Sequence, residues 1–279
     1  MKKDLSIAFI GAGNMAGSLI GGLIADGCNP SRLAVSDVDG EKSRLMHERY
    51  GIGSRPTNLA AAEAADVIVI AVKPQAVAGV ARELSRVAGA DKKLWLSIAA
   101  GIRTHSLETW LGGGAAVVRA MPNTPALVQS GATVLYANPR VTAAQRGAAE
   151  SILRAVGLTL WIDDEALMDA VTALSGSGPA YFFLIMEALE QAGERLGLPP
   201  QMARVLAVQT AFGAGKMALE STDSGPAELR SRVTSPGGTT ERAITVLEQG
   251  DLRALFQRAL VAARDRSLEL SRLLGESDG

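Results

Sequence analysis

The chain has 279 residues, of which 47% are hydrophobic and 20% are charged, and its formal net charge is −1 at pH 7. These values are typical of a soluble globular protein with one large domain or two ordinary ones, and they give no electrostatic reason to expect nucleic acid or an anionic membrane as a partner. The single cysteine, the absence of zinc-spaced Cys and His, and the lack of any apolar run near the roughly 18 residues of a spanning helix lead us to expect a reduced, cytoplasmic protein without a metal.

The first motif lies at the start of the chain. A short apolar run predicts a buried strand, and Gly11, Gly13 and Ala16 then complete the pattern G-x-G-x-x-A. Gly11 allows a tight turn, Gly13 lets a pyrophosphate approach the backbone, and Ala16 lets the next helix pack close to the strand. A second strand, 33–36, ends at Asp37, where this motif has an acid for the ribose hydroxyls. We therefore predict a dinucleotide-binding βαβ unit rather than an ordinary tight turn.

Strand and helix patterns then alternate as far as residue 163. Further strands are predicted at 67–72, 94–98, 115–119, 131–136 and 158–161, with helices at 40–50, 58–65, 74–87 and 142–156. Asn58 is a plausible N-cap of the short helix that it begins. The alternation predicts a doubly wound parallel sheet, in which ligands bind outside the carboxyl ends of the strands. Three loops at such ends are 73–75, 99–101 and 121–125.

Strand patterns largely vanish after residue 163. The sequence predicts helices at about 166–174, 179–196, 200–219, 241–249 and 251–274. We therefore predict an α/β dinucleotide-binding domain over 1–163 and an all-helical domain over 164–279, to which the family resemblance given below assigns substrate binding and dimerisation. The acidic run 163–165 is interpreted as capping the helix that follows, in preference to a carboxylate pair for acid–base chemistry.

Two loops of the helical half are rich in small and hydroxyl-bearing residues. Residues 175–179 interrupt the helical pattern with Ser-Gly-Ser-Gly-Pro, and residues 234–240 read Thr-Ser-Pro-Gly-Gly-Thr-Thr directly before a helix. The second loop combines free backbone N–H groups with hydroxyls, which suits a carboxylate or a phosphate. A simple helix start with Thr239 or Thr240 as N-cap explains the same residues equally well.

Taken together, these motifs resemble those of the pyrroline-5-carboxylate reductase family over about residues 7–270. The resemblance rests on Phe-Ile-Gly-Ala-Gly-Asn-Met-Ala (9–16), Ala-Val-Lys-Pro-Gln (71–75), Arg-Ala-Met-Pro-Asn-Thr-Pro (119–125), Leu-Ser-Gly-Ser-Gly-Pro-Ala-Tyr (174–181) and Val-Thr-Ser-Pro-Gly-Gly-Thr-Thr (233–240). Many dehydrogenases share the first segment, whereas the last two are specific to the family. The resemblance implies NAD(P)H-dependent reduction of the C=N bond of 1-pyrroline-5-carboxylate to L-proline, the last step of proline biosynthesis.

The resemblance also implies where the substrate binds. Its carboxylate would be held by Ser235, Gly237, Gly238 and Thr239, partly through backbone N–H groups. The Thr240 hydroxyl would meet the ring nitrogen, so that Thr240 and Ser235 carry the catalytic roles. The loop with Ser175 and Ser177 would flank the same pocket. Because a protonated cyclic imine accepts hydride readily, such a site needs positioning more than a strong general acid.

The implied cofactor is NADPH or NADH. The implied contacts are Gly11, Ala12, Gly13, Asn14 and Met15 for the pyrophosphate, Ser36, Asp37 and Asn58 for the adenosine ribose, and Val72, Lys73, Pro74, Met121, Pro122 and Asn123 on the nicotinamide side. Asp37 departs from many relatives, since a carboxylate repels the 2′-phosphate of NADPH and can bind both ribose hydroxyls of NADH. Lys42 and Arg44 could compensate, so both cofactors remain open.

Family resemblance further implies a homodimer of interlocked helical domains, which could assemble into a larger homo-oligomer such as a decamer. Each active site would then combine one chain's cofactor domain with its partner's helical domain. Two alternatives stay open. One is another imine or hydroxyacid oxidoreductase of the same architecture, for which Lys216 is the one acid to test. The other is a regulator that binds a nicotinamide cofactor without turnover.

Overall fold

A computed structural model of the chain describes residues 5–275. Its contacts divide the chain into two compact units. The sheet unit comprises the residues up to Ser177 together with those from Ala263 onward, and the helical unit comprises residues 178–262. The domain limits inferred from the sequence, 1–163 and 164–279, follow the change from strands to helices and stay a prediction.

Within residues 5–275, eight strands form one sheet in the order β3-β2-β1-β4-β5-β6-β7-β8. In chain order they are β1 (Ile7–Ile10), β2 (Leu33–Ser36), β3 (Gly53–Ser54), β4 (Val67–Ile70), β5 (Leu94–Ser97), β6 (Ala116–Met121), β7 (Gly131–Ala137) and β8 (Gly157–Trp161). The strands β1 to β6 are parallel to one another, which confirms the predicted doubly wound architecture. The chain reverses its direction of winding between β1 and β4, which is where such sheets bind their ligands.

The last two strands depart from the prediction of a wholly parallel sheet. β7 runs antiparallel to β6, with Val118 opposite Ala137, and β8 is parallel to β7. Only residues 122–130 connect β6 to β7. A parallel crossover needs a dozen or more residues, so a connection of this length turns the chain straight back.

Helices cover both faces of the sheet. In chain order the α-helices are α1 (Asn14–Ala25), α2 (Gly40–Tyr50), α3 (Asn58–Glu63), α4 (Val77–Leu84), α5 (Thr104–Trp110), α6 (Ala143–Arg154), α7 (Met168–Val171), α8 (Gly178–Arg195), α9 (Pro200–Glu220), α10 (Pro226–Arg232), α11 (Thr239–Gln249) and α12 (Leu252–Gly275). Neighbouring residues of a strand point to opposite faces, so Phe9 joins one buried apolar cluster and Ile10 the other. The second cluster also holds Trp95, which is fully buried.

Side-chain caps explain several helix starts, with one correction. Thr57 caps α3 by accepting the Ala60 N–H at 3.1 Å, so the expectation that Asn58 is the cap is wrong. Asp164 accepts the Ala166 N–H at 2.9 Å and caps the short turn that follows, as the sequence predicts for this acidic run. Glu165 has a different role. Its carboxylate pairs with Arg119 of β6, at 3.1 Å between Oε1 and Nη1.

The predicted interruption at 175–179 is a change of helix type. Residues Thr172–Gly176 form a π-helical turn, here called the π turn, which ends where the Ser177 N–H donates to the Thr172 carbonyl at 2.8 Å. α8 begins directly afterwards, with Pro179 in its first turn, where proline costs no hydrogen bond. The glycines and serines therefore lie in and next to a wider helical turn, and the helix continues into α8. Such π segments often occur at functional sites.

The end of α12 belongs to the sheet unit. The buried Asp169 of α7 accepts hydrogen bonds through Oδ1 from two hydroxyls of α12, those of Ser267 at 2.7 Å and Ser271 at 3.4 Å. Both serines are themselves buried. These bonds hold the last turns of α12 against the short helix α7.

The helical unit leaves much of its apolar surface open. α8 and α9 pack against each other, and small residues such as Gly193 and Ala203 meet at their contact. Large apolar side chains nevertheless remain exposed on these two helices, among them Phe182, Phe183, Leu184, Val205 and Phe212. Exposed apolar area on this scale usually marks a surface that binds another protein. Within residues 5–275, no helix is long and apolar enough to cross a membrane.

Candidate active site

The loop between β1 and α1 has the shape of a pyrophosphate cradle. Gly11 has a φ of +104°, and a Cβ added there would lie 2.7 Å from the Ala71 carbonyl oxygen. Gly13 is the N-cap residue of α1, and a Cβ added to it would meet no atom within 4 Å. The space beside Gly13 is therefore open, and the positive end of α1 favours an anion there.

Asp37 lies beside this loop, as the sequence predicts. Its Oδ2 accepts the Ala12 N–H at 2.7 Å, and its Oδ1 accepts the Asp39 N–H at 2.9 Å. A carboxylate is thus fixed between the end of β2 and the cradle, at the position where adenosine ribose is read in this kind of fold. Lys42 is within 3.5 Å of Asp39, and Arg44 pairs with both Glu41 and Glu48.

Ser36 and Asn58 come together next to Asp37. The buried Ser36 hydroxyl donates to Asn58 Oδ1 at 2.8 Å, and Asn58 Nδ2 donates to Glu83 Oε2 at 2.9 Å. These bonds fix the Asn58 side chain at the carboxyl end of β2. The two predicted ribose contacts are therefore neighbours in the structure.

The residues predicted for the nicotinamide side follow the ends of β4 and β6. Val72 and the exposed Lys73 continue from β4, and Pro74 opens a short 3₁₀ turn. Met121 ends β6, and Pro122 and Asn123 follow it. Met121 packs against Gly176 of the π turn, and Asn123 bonds to Ser175 of the same turn. The structure thus joins two motifs that lie about 50 residues apart in the sequence.

A cavity of about 260 Å³ opens near the ends of β4 and β5. Its lining residues are Pro74, Gln75, Ala100, Gly101, Thr172, Ser177, Ala263, Arg266, Ser267, Leu270 and Leu274. Sequence reasoning noted the loops 73–75 and 99–101 but missed the contribution of α12. Its lining residues form no recognisable motif, and only the packing of α12 on the sheet unit brings them there.

The loop 234–240 lies in the helical unit and keeps the five predicted residues together. Gly238 is the N-cap residue of α11, which places Thr239 and Thr240 in the first turn, so neither threonine is the N-cap. Gly237 has a φ of +71°, and its N–H donates to Glu241 Oε2 at 2.7 Å. Among residues 5–275 the structure shows no hydrogen-bond partner for the half-buried Thr240 hydroxyl. The Gly238 N–H donates to the Ser235 carbonyl at 3.0 Å. The first N–H groups of α11 and the threonine hydroxyls are therefore the groups presented at this helix start, and they suit a carboxylate.

Other polar candidates have structural roles. Lys216 lies on the exposed surface of α9, with its Nζ 3.7 Å from Glu220 Oε1. His47 contacts the Ile52 carbonyl oxygen through Nδ1 at 2.6 Å. In the described part of the chain, no group of three or more His, Cys, Asp or Glu residues could hold a metal ion.

Known proteins match this chain over nearly its whole length. Residues 165–270 match the family model described as pyrroline-5-carboxylate reductase dimerisation, and residues 6–101 match the model described as NADP oxidoreductase coenzyme F420-dependent. A pyrroline-5-carboxylate reductase of Pseudomonas aeruginosa is 53% identical over 270 residues, which are 97% of this chain and 98% of that protein.

Solved structures agree with these sequence matches. A pyrroline-5-carboxylate reductase of Coxiella burnetii has a TM-score of 0.91 and 48% identity over 95% of this chain and 98% of its own. The Plasmodium falciparum pyrroline carboxylate reductase, solved with NADP bound, has a TM-score of 0.84 and 28% identity over 96% of this chain and 99% of its own. Because the matches span both units and include every motif described above, the chain belongs to the pyrroline-5-carboxylate reductase family.

Proposed function

We propose that the chain reduces 1-pyrroline-5-carboxylate to L-proline with NADPH or NADH, and that it does so by positioning the imine. The observation that carries the reaction is the 53% identity to a pyrroline-5-carboxylate reductase over nearly the full length of both chains. The reduced nicotinamide supplies the hydride, which adds to the carbon of the protonated C=N bond. What the protein must provide is a fixed place for the ring and for its carboxylate.

The sheet unit offers the residues that would hold the cofactor. Gly11 to Met15 would bind the pyrophosphate, since the open space at Gly13 admits it and the start of α1 favours its charge. Ser36, Asp37 and Asn58 would read the adenosine ribose. Lys42 and Arg44 already have acidic neighbours, which supports a preference for NADH over NADPH. Val72, Lys73, Pro74, Met121, Pro122 and Asn123 would border the nicotinamide.

The helical unit offers the residues that would hold the substrate. The carboxylate would bind Ser235, Gly237, Gly238 and Thr239 at the start of α11. The Thr240 hydroxyl would contact the ring nitrogen, orienting the imine and then the product amine. Ser175 and Ser177 of the sheet unit would flank the ring. The proposal gives no role to Lys216, which pairs with Glu220 at 3.7 Å on the exposed surface of α9 and was the one candidate acid of the hydroxyacid alternative.

The helical region also supports self-association. Residues 165–270 match a dimerisation model, and α8 and α9 expose large apolar side chains. We propose a homodimer in the cytoplasm, able to form a larger assembly such as a decamer, with each site shared between two chains. We also keep the domain limits 1–163 and 164–279, since that match begins at residue 165.

Steady-state oxidation of NADH and of NADPH with 1-pyrroline-5-carboxylate tests this proposal. Wild-type protein should turn over with both cofactors and favour NADH. We expect Thr240→Ala to lower kcat/KM for the imine by about 10- to 100-fold, since a lost hydrogen bond to a charged group costs about 1.5–3 kcal/mol. Its affinity for cofactor should stay unchanged.

Thr245→Ala is the matched control. Thr245 lies on the same helix, but its hydroxyl donates to the Glu241 carbonyl at 2.8 Å. This variant should keep wild-type kinetics. A folded wild-type protein that binds both cofactors yet turns over with neither would discard the assignment, and an active Thr240→Ala would remove Thr240 from the site.

A further inference from the structure

Asn123 connects three segments of the sheet unit. Its Nδ2 lies 3.3 Å from both the backbone oxygen and the Oγ of Ser175, and donates to each. Its Oδ1 accepts the Ala132 N–H at 2.9 Å. The end of β6, the start of β7 and the π turn therefore meet at one side-chain amide.

The contact between the β6 end and the π turn is close on either side of this amide. A Cβ added to Gly176 would lie 2.4 Å from Met121 Cε, so the methionine packs directly over the glycine. A side chain at position 176 would therefore displace the end of the Met121 side chain from this contact. The two segments are thus held by packing at Met121 and by hydrogen bonds at Asn123.

Both polar atoms of the Asn123 side chain bond to the protein. The amide nitrogen has two hydrogens, and both of its contacts are to Ser175, while the oxygen uses one of its two acceptor positions for the Ala132 N–H. This engagement leaves its side chain poorly placed to recognise a ligand directly. Its influence on a bound ligand would pass through the residues that it holds.

We propose that Asn123 is a positioning residue, which holds Ser175 and the π turn against the end of β6 and acts on the reduction through them. The inference rests on the proposed function, in which the end of β6 borders the nicotinamide and Ser175 and Ser177 flank the imine. Ser177 ends the π turn through its bond to Thr172, so a displacement of Ser175 also moves Ser177.

Asn138 provides an internal control at the opposite end of the strands, near the amino end of β6. It is buried, its Oδ1 accepts the Val117 N–H at 3.1 Å, and its Nδ2 donates to the Ala115 carbonyl at 2.9 Å. It therefore also ties β6 to β7, but at the amino end of β6. Since β7 is antiparallel to β6, the last residues of β7 lie near the amino end of β6, away from the carboxyl ends of the parallel strands, where the ligand loops lie.

The test compares Asn123→Ala and Asn123→Asp with Asn138→Ala. The aspartate keeps an acceptor for the Ala132 N–H but has no N–H to donate to the Ser175 carbonyl. We expect both Asn123 variants to lose about 10- to 100-fold in kcat, because small misplacements near the reacting atoms carry costs of that size. Cofactor Kd should stay within about twofold. Asn138→Ala should unfold at lower urea concentration with kcat unchanged.

Hydrogen exchange of the peptide over 172–178 gives a second readout that needs no turnover. The amides of the π turn, above all that of Ser177, should exchange faster in both Asn123 variants and at the wild-type rate in Asn138→Ala. If Asn123→Ala does not fold, Asn123→Asp decides alone.

Two results would overturn the proposal: wild-type kinetics in Asn123→Asp, or the same kinetic and exchange profile in the variants of both asparagines. A wild-type protein inactive on the imine would instead refute the proposed function. The exchange comparison would still support or refute the hold of Asn123 on the π turn.

Discussion

Two glycines of the pyrophosphate cradle are under different constraints although only Ala12 separates them. Gly11 has a positive φ and no room for a Cβ, so Gly11→Ala should lower the free energy of unfolding by about 2 kcal/mol or more. Gly13 has a φ of −76°, which any residue can adopt, and open space around it. Gly13→Ala should leave the free energy of unfolding within about 0.5 kcal/mol of wild type.

Substitutions at Gly11 and Gly13 distinguish an effect on folding stability from an effect on cofactor binding. The methyl group in Gly13→Ala stands where a pyrophosphate would approach, so we expect cofactor Kd to rise at least about tenfold, equal to about 1.4 kcal/mol. Urea titration measures the stability of both variants, and fluorescence titration with NADH measures binding. Tight cofactor binding by Gly13→Ala would show that the pyrophosphate does not cross this loop.

At the scale of elements, Glu165 joins the turn before α7 to β6 and α5. Its carboxylate pairs with Arg119, which is 3% exposed, and accepts the Thr104 N–H and hydroxyl at 2.8 Å each. Removing one partner of a buried pair leaves a charge without compensation, at a cost of about 3–5 kcal/mol. We expect Glu165→Gln to lower the free energy of unfolding by about 3 kcal/mol, measured by urea denaturation at fixed protein concentration.

An exposed ion pair is the control for this prediction. Arg232 and Glu228 lie 2.7 Å apart on α10, with both side chains more than half exposed. Glu228→Gln should change the free energy of unfolding by less than about 1 kcal/mol, as is usual for surface pairs. If the two substitutions changed the free energy of unfolding equally, the Arg119–Glu165 pair would contribute no more to stability than a surface ion pair.

The elements also show what the sequence could predict. The turn, close-approach and packing positions of Gly11, Gly13 and Ala16 follow from local chemistry, and strands β1, β2, β4, β5 and β6 follow from apolar runs. The sequence analysis missed β3, because this strand has only two residues and neither is apolar. β7 is antiparallel because the connection before it is short. The order of strands and helices alone does not take the length of that connection into account. The π turn and the bond between Asn123 and Ser175 depend on contacts between segments distant in sequence, which no local pattern reports.

At the scale of the whole molecule, the exposed apolar side chains of α8 need a partner surface. Phe183 is 64% exposed in the single chain and lies within the region that matches the dimerisation model. We expect Phe183→Glu to weaken the dimer at least about tenfold, because burying an unpaired charge in an interface is costly. Sedimentation velocity measures this change, and activity should fall with the dimer if the sites are shared.

Leu45→Glu serves as the control, since Leu45 is 51% exposed but lies on α2 of the sheet unit. It should leave both assembly and activity as they are. An unchanged sedimentation coefficient for Phe183→Glu at nanomolar concentration would place the dimer contact elsewhere on the helical unit.

The tie between Asp169 and α12 has a consequence for how the protein is made. A ribosome adds Ser267 98 residues after Asp169, and Ser271 102 residues after it. Until then the nascent sheet unit contains a carboxylate whose hydroxyl partners do not yet exist, and burying such a group without partners is unfavourable. The strands can pair early, but the unit reaches its final packing only when α12 has emerged. Emergence of α12 from the ribosome, rather than synthesis of the last strand, therefore sets the earliest moment at which this part of the enzyme is complete.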